Sequence, residues 1–223
     1  MEIIPYGDNA LLINFEQKID TEIHQVVKAY HFAIQNIDEV QYQIPAYCSI
    51  TVIFDQKSIS YDELASKIKD LNIKPVKTQT KAKIIEIPVC YEADFAPDLQ
   101  SLSQDLKLSK EEIISLHTGQ TYDVFMVGFL PGFPYLGKLP KELECNRKST
   151  PRKIVKSGSV GLAGSQTGIY PSDAPGGWQL IGQTPIEIFD SAKEDPFLLK
   201  MGNRVKFYSI SAEKFKEIRD EAK

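Results

Sequence analysis

The sequence predicts an α+β protein in two parts, a small sandwich of strands and helices followed by a β-rich unit. Three observations carry this. Strands and amphipathic helices alternate through the first 71 residues. A polar, basic stretch at 72–82 (NIKPVKTQTKA) has one proline and no periodicity, and reads as a linker. Beyond it, short strand-like pieces alternate with glycine and proline to about residue 208, the pattern of a β-barrel or sandwich. The expected domains are 1–75 and 83–223 of a 223-residue chain.

The elements follow in order. Ile3 and Ile4, then Ala10 to Phe15, read as a strand pair turning at Gly7-Asp8-Asn9. Residues 20–35 read as a helix with Asp20 or Thr21 as N-cap, because Ile23, Val26, Val27, Tyr30 and Ile34 fall on one helical face. Val40 to Ile44 and Ser49 to Phe54 are strands around Pro45. Ser60 followed by Glu63 is a capping box opening a helix to Leu71. After the linker, Lys83 to Tyr91 alternates around Ile85, Ile87 and Val89. Helices are expected at about 98–106 and 109–117, the second opened by the Ser109/Glu112 capping box. Tyr122 to Phe129 reads as a strand and Ala212 to Ala222 as a charged terminal helix.

Composition excludes several classes. Hydrophobic residues at 42% and charged residues at 25% exclude disorder and collagen. The longest weakly charged apolar stretch, Val124 to Gly137, is broken by Pro131 and Pro134 and is too short for a bilayer, which needs about 20 apolar residues. MEIIPYGDNA lacks a basic and an apolar region, so no signal peptide is read and a cytoplasmic protein is expected. The net charge is −4, with no basic domain for nucleic acid. Residues 1–80 hold 7 Lys/Arg and 11 Asp/Glu, whereas the rest hold 19 of each, so the two parts differ in character. Cys48, Cys90 and Cys145 lie too far apart for a zinc knuckle and are odd in number. His24, His31 and His117 form no HExxH pattern, so no metal is expected on this chain. His24 and His31 read as surface or satisfied residues.

The informative segment is 128–186. It holds ten of the 13 glycines, and 157–186 carries one charged residue, Asp173. Such a stretch is either a buried barrel core or the floor of a site, where glycine admits close approach and short polar groups orient a ligand. Just before it, residues 138–156 hold seven basic side chains against Glu142 and Glu144. Most of these lysines read as a solvated loop. Arg152 stands apart, because Pro151 fixes the backbone before it, and it is a candidate clamp for phosphate or carboxylate.

The run Gly128-Phe129-Leu130-Pro131-Gly132-Phe133-Pro134-Tyr135-Leu136-Gly137 cannot be helical, and its prolines argue against a central strand. It reads as a stiff loop, either a plug over a core or the aromatic wall of a pocket. Trp178, the only tryptophan, anchors either a core or an interface. His117, ending a helix, is either a dipole-stabilising cation or an acid/base group. No Walker loop, GxGxxG fingerprint or GxSxG elbow occurs, so ATP, if handled, is not held by a P-loop.

At these motifs the chain resembles the PxpB/KipI family, also called the allophanate hydrolase subunit 1 type. The carriers are the 128–137 run, Thr150-Pro151-Arg152, Gly158-Ser159-Val160-Gly161, Gln166-Thr167-Gly168-Ile169-Tyr170-Pro171, Pro175-Gly176-Gly177-Trp178-Gln179-Leu180-Ile181-Gly182 and the opening Tyr6-Gly7-Asp8-Asn9-Ala10. The resemblance implies a cyclophilin-like β-barrel as the second domain. It implies the B subunit of an ATP-dependent 5-oxoprolinase that opens 5-oxo-L-proline to L-glutamate with subunits A and C. The ATP, with magnesium, would be bound by the assembled complex, and the chain alone would be inactive. The family also includes a non-catalytic inhibitor of a sensor histidine kinase, acting on its dimerisation helices, which is the alternative. The corresponding part of urea carboxylases is a third outcome, and no biotin-carrier signature supports it here. On the enzyme reading Arg152 is the clamp, with His117 as a second catalytic candidate. Gln166, Thr167 and Tyr170 would contact ring or phosphate, Phe133 and Tyr135 would be the wall, and Trp178 is a further substrate-binding candidate.

Overall fold

The computed structural model describes residues 1–71, 73 and 83–221. Apart from residue 73, the linker expected at 72–82 lies outside the described residues. The chain divides into two compact units, Met1–Thr80 and Lys81–Lys223.

In the first unit, β1 (Glu2–Pro5) and β2 (Ala10–Asn14) form an antiparallel hairpin whose turn uses Gly7 at φ +71°. Helix α1 (Thr21–Ile34) begins at Asp20, whose carboxylate accepts from the Glu22 and Ile23 amides. Strands β3 (Val40–Pro45) and β4 (Ser49–Phe54) complete an antiparallel sheet in the order β1-β2-β4-β3. Helix α2 (Tyr61–Asp70) opens on the Ser60/Glu63 capping box with both of its arms formed. Leu11 and Ile13 of β2 and Ile50 and Val52 of β4 fall on one face by the two-residue strand period and are fully buried, as are Val27 and Ile34 of α1 and Leu64 and Ile68 of α2. Of the two readings given for His24, surface or satisfied, burial rules out the surface one.

The second unit is a closed barrel of seven strands. Strand β5 (Ile84–Cys90) is followed by α3 (Leu99–Leu106) and α4 (Lys110–Gly119). Then come β6 (Thr121–Val127), β7 (Pro134–Gly137), β8 (Arg152–Val155), β9 (Ser159–Ala163), β10 (Gln166–Ile169), β11 (Ala174–Gly176), β12 (Gln179–Gln183) and β13 (Arg204–Ile210). Helix α5 (Ala212–Glu221) ends the described chain. The barrel order is β10-β7-β6-β13-β5-β12-β9, and β8 with β11 forms a separate two-stranded sheet. Closure satisfies the edge amides that an open sheet would expose. Ile87, Val89, Tyr122, Val124, Leu136, Val160, Leu162, Ile169, Ile181, Val205 and Phe207 fill the interior. The charge-poor segment is therefore barrel wall, which needs small and apolar residues rather than solvated ones. Among the described residues, no helix is long and apolar enough to cross a membrane.

One expectation is corrected. The 128–137 run is not all loop, since β7 pairs with both β6 and β10 inside the barrel. Pro134 is tolerated because it is the first residue of its strand, where the missing N–H interrupts no ladder. Only residues 128–133 form the turn, which places Phe129 at φ +68°.

Candidate functional site

Strand β10 separates the sequence-derived candidates. Side chains alternate along a strand, so Thr167 and Ile169 face the interior while Gln166, Gly168 and then Tyr170 face outward. Two distinct clusters result.

The inner cluster centres on His117, in the last turn of α4, which is fully buried. Its Nδ1 lies 2.8 Å from the Tyr91 hydroxyl and its Nε2 2.9 Å from the Thr167 hydroxyl. The ring stacks on Phe207 at 4.6 Å, and the Tyr122 hydroxyl donates to the His117 carbonyl at 2.8 Å. Burial lowers the His117 pKa to about 3, so the ring is neutral and one ring nitrogen donates while the other accepts. The helix-end cation expected for His117 is thereby corrected: desolvation outweighs the dipole. The geometry makes it a core polar junction shared with Thr167, separate from Arg152.

This junction gives the barrel a pH dependence. The folded pKa lies below the ordinary 6.5, so the stabilisation is complete above pH 6.5 and is lost as pH falls toward the folded value. A tenfold change in proton affinity corresponds to about 1.4 kcal/mol, so roughly 2 kcal/mol should be lost between about pH 6.5 and 5. Urea unfolding followed by Trp178 fluorescence reports this loss. A midpoint that does not move over that window would contradict the assignment.

The outer cluster is the candidate site. Phe133, Tyr170 and Trp178 are buried, with Tyr135 half-buried beside them. Phe133 packs edge-on against Tyr135, Tyr170 and Trp178 at 4.9, 5.1 and 5.4 Å between centroids. Gly168 is the floor beneath them: a Cβ there would meet the Phe133 ring at 2.9 Å and the Trp178 ring at 3.0 Å. Its role is to admit aromatic rings rather than a ligand. The 128–135 segment thus supplies both a plug and a surface. Phe133 closes the core, while Phe129 stands 63% exposed at the turn.

Basic side chains lie over this cluster. The Arg147 guanidinium carbon sits 6.0 Å from the Trp178 ring centroid. Arg152 and Lys148 converge on Asp98, a residue with no signature in the sequence. Asp98 Oδ1 accepts from Arg152 Nη2 at 2.5 Å and from Lys148 Nζ at 2.9 Å, while Oδ2 accepts from the Leu180 amide at 2.7 Å. Its side chain is 3% exposed, against 26% for Arg152 and 31% for Lys148. Burial alone would raise the Asp98 carboxyl; the hydrogen bonds from Arg152, the Leu180 amide and Lys148 outweigh it and hold the group below its ordinary value. Gln166, also buried, has no hydrogen-bond partner for Nε2 among the described residues. Asp98 stands at the N-cap of α3 yet makes no side-chain cap bond. In sequence it is indistinguishable from a capping residue, so sequence reasoning misses it. Arg147 and Lys148 are missed as members of an ordinary basic loop.

Among the described residues, no three His, Cys, Asp or Glu side chains gather as a metal site requires. Burial raises the thiol of Cys145 to about 11 and raises those of Cys48 and Cys90, so none is poised as a nucleophile.

The pattern of the family described as carboxyltransferase domain, subdomain C and D, matches residues 1–199. A crystal structure of TTHA0988 superposes with a TM-score of 0.81 at 31% identity, covering 92% of this chain and 40% of that one. Fold and sequence together define a protein of the carboxyltransferase C/D-subdomain class. The 5-oxoprolinase B subunit of Bacillus subtilis (strain 168) is 38% identical over 99% of this chain and 98% of its own length. That of Escherichia coli O157:H7 is 35% identical over 90% and 92%. The chain belongs to the 5-oxoprolinase B-subunit (PxpB) family.

Proposed function

We propose that this chain is the B subunit of an ATP-dependent 5-oxoprolinase complex, converting 5-oxo-L-proline to L-glutamate together with subunits A and C. The observation that carries the reading is the extent of one match, with 99% of this chain aligned to 98% of a relative named as the 5-oxoprolinase B subunit. That alignment spans both compact units of the fold.

Opening the lactam breaks the ring C–N bond, adds water at the carbonyl carbon and leaves the ring nitrogen as the amine of glutamate. The amide is resonance-stabilised, and ATP, with magnesium in the assembled complex, supplies the phosphoryl group that makes the ring carbon electrophilic. The donors on this chain fit phosphoryl or carboxylate oxygen. Arg152 and Lys148 are fixed charged donors, and Gln166 carries a buried amide with an unfilled donor. Arg152 is the clamp. Beside the clamp packs the aromatic cluster of Phe133, Tyr135, Tyr170 and Trp178, with the Tyr170 phenol in the field of Arg152. Thr167 and His117 act from the core by holding β10 against α4. Subunits A and C complete the site, and the chain alone is inactive.

The reading is tested in cells that lack their own B subunit and accumulate 5-oxoproline. Expression of this chain with its cognate subunits A and C is expected to clear the metabolite. Unchanged 5-oxoproline, with all three proteins folded and associated, would overturn it in favour of a binding role on a sensor kinase.

A further inference from the structure

Arg152 meets Asp98 through one guanidinium nitrogen, Nη2. Arginine and carboxylate pair best as a fork on a fork, with two parallel N–H···O bonds. Here Oδ2 of Asp98 is taken by the Leu180 amide, and both cations crowd onto Oδ1. Arg152 therefore gives Asp98 only Nη2. Its Nη1 is buried and has no hydrogen-bond partner among the described residues. A charged donor withdrawn from water without an acceptor is costly, and it is tolerated where an acceptor arrives in the working state.

The charge balance points the same way. Arg152 and Lys148 share one carboxylate, which leaves a net positive charge at this point, and Arg147 adds another over the Trp178 ring. Asp98 forgoes capping α3 to make these contacts. The Tyr170 phenol lies within the field of both Arg147 and Arg152, so the cations and the aromatic floor belong to one place.

We infer that Asp98 is a positioning residue, holding Arg152 by one guanidinium nitrogen so that the other binds an oxyanion of the substrate, a carboxylate or a phosphoryl oxygen. The inference rests on the 5-oxoprolinase reading for the source of that oxyanion. Nη1 is closed to solvent in the free chain, so the 26%-exposed Arg152 side chain has to turn to receive the oxyanion, and this binding is measured on the chain without partners.

Two probes separate the sources: inorganic phosphate for the phosphoryl group and 5-oxoproline for the carboxylate. Each is titrated into the full chain by isothermal calorimetry and by fluorescence of Trp178, the only tryptophan. The wild type is expected to bind one of them saturably. Arg152→Lys is the decisive variant. It keeps a cation to pair with Asp98 but has no second nitrogen to offer. It is expected to melt within a few degrees of wild type and to bind the probe at least tenfold more weakly. Asp98→Asn is expected to weaken binding about tenfold, with partial recovery in Asp98→Glu. In the assembled enzyme, Arg152→Lys should change kcat if the phosphoryl probe is the one bound, and KM for 5-oxoproline if the carboxylate is. Wild-type affinity in Arg152→Lys, or no saturable binding of either probe to the wild type, would overturn the inference. Either result would leave the reconstituted activity to be judged separately. Should Asp98→Asn fail to fold, Arg152→Lys decides alone.

Discussion

In the assembled complex, replacing Arg152 by alanine is expected to reduce glutamate release by about a hundredfold or more. A preorganised donor aimed at developing charge contributes about 3–4 kcal/mol to the transition state, because it is already oriented when the charge appears. The pairing with Asp98 at 2.5 Å restricts the Arg152 side chain, which is the preorganisation that the proposed clamp requires. The measurement is kcat and KM for the variant, alongside a melting curve. Full activity in a folded complex would remove Arg152 from the chemistry.

The largest stability effect is expected at Asp98. Replacement by alanine should cost about 2–4 kcal/mol, read from urea unfolding through Trp178. The change leaves the Leu180 amide without its acceptor, and it leaves Arg152 and Lys148 without their counter-charge. Because those two cations retain about a quarter to a third of their exposure, they recover part of the loss by hydration, which places the expected cost below that for a wholly buried pair. Asp98 titrates below its ordinary range, so this contribution is present above the unfolded carboxylate pKa and disappears only in stronger acid than the His117 contribution. A loss under about 0.5 kcal/mol, typical of surface substitutions, would show that the three bonds carry no weight.

Local signals are legible where the physics is local. The Ser60/Glu63 and Ser109/Glu112 boxes each need only four consecutive residues, and both form with reciprocal bonds. The α1 stripe follows from helical period alone, and of the two expected caps, Asp20 and Thr21, it is Asp20 that caps. The barrel strands are legible as a class, not individually. Strand β7 is four residues long and begins on a proline, so neither periodicity nor propensity marks it. Within the site, the strand period contains a signal that separates Gln166 from Thr167: neighbours on one strand face opposite ways. The Asp98–Arg152 pair spans 54 positions, and nothing in either local sequence announces the other. His117 reads as a helix-end cation until the barrel closes around it, because burial is decided by tertiary contacts.

The most direct measurement is glutamate release from 5-oxoproline and ATP by this chain mixed with its cognate subunits A and C, each component omitted in turn. The 5-oxoprolinase reading predicts release from the full mixture and none when this chain, either partner or ATP is left out. Release that continues undiminished without this chain would contradict it.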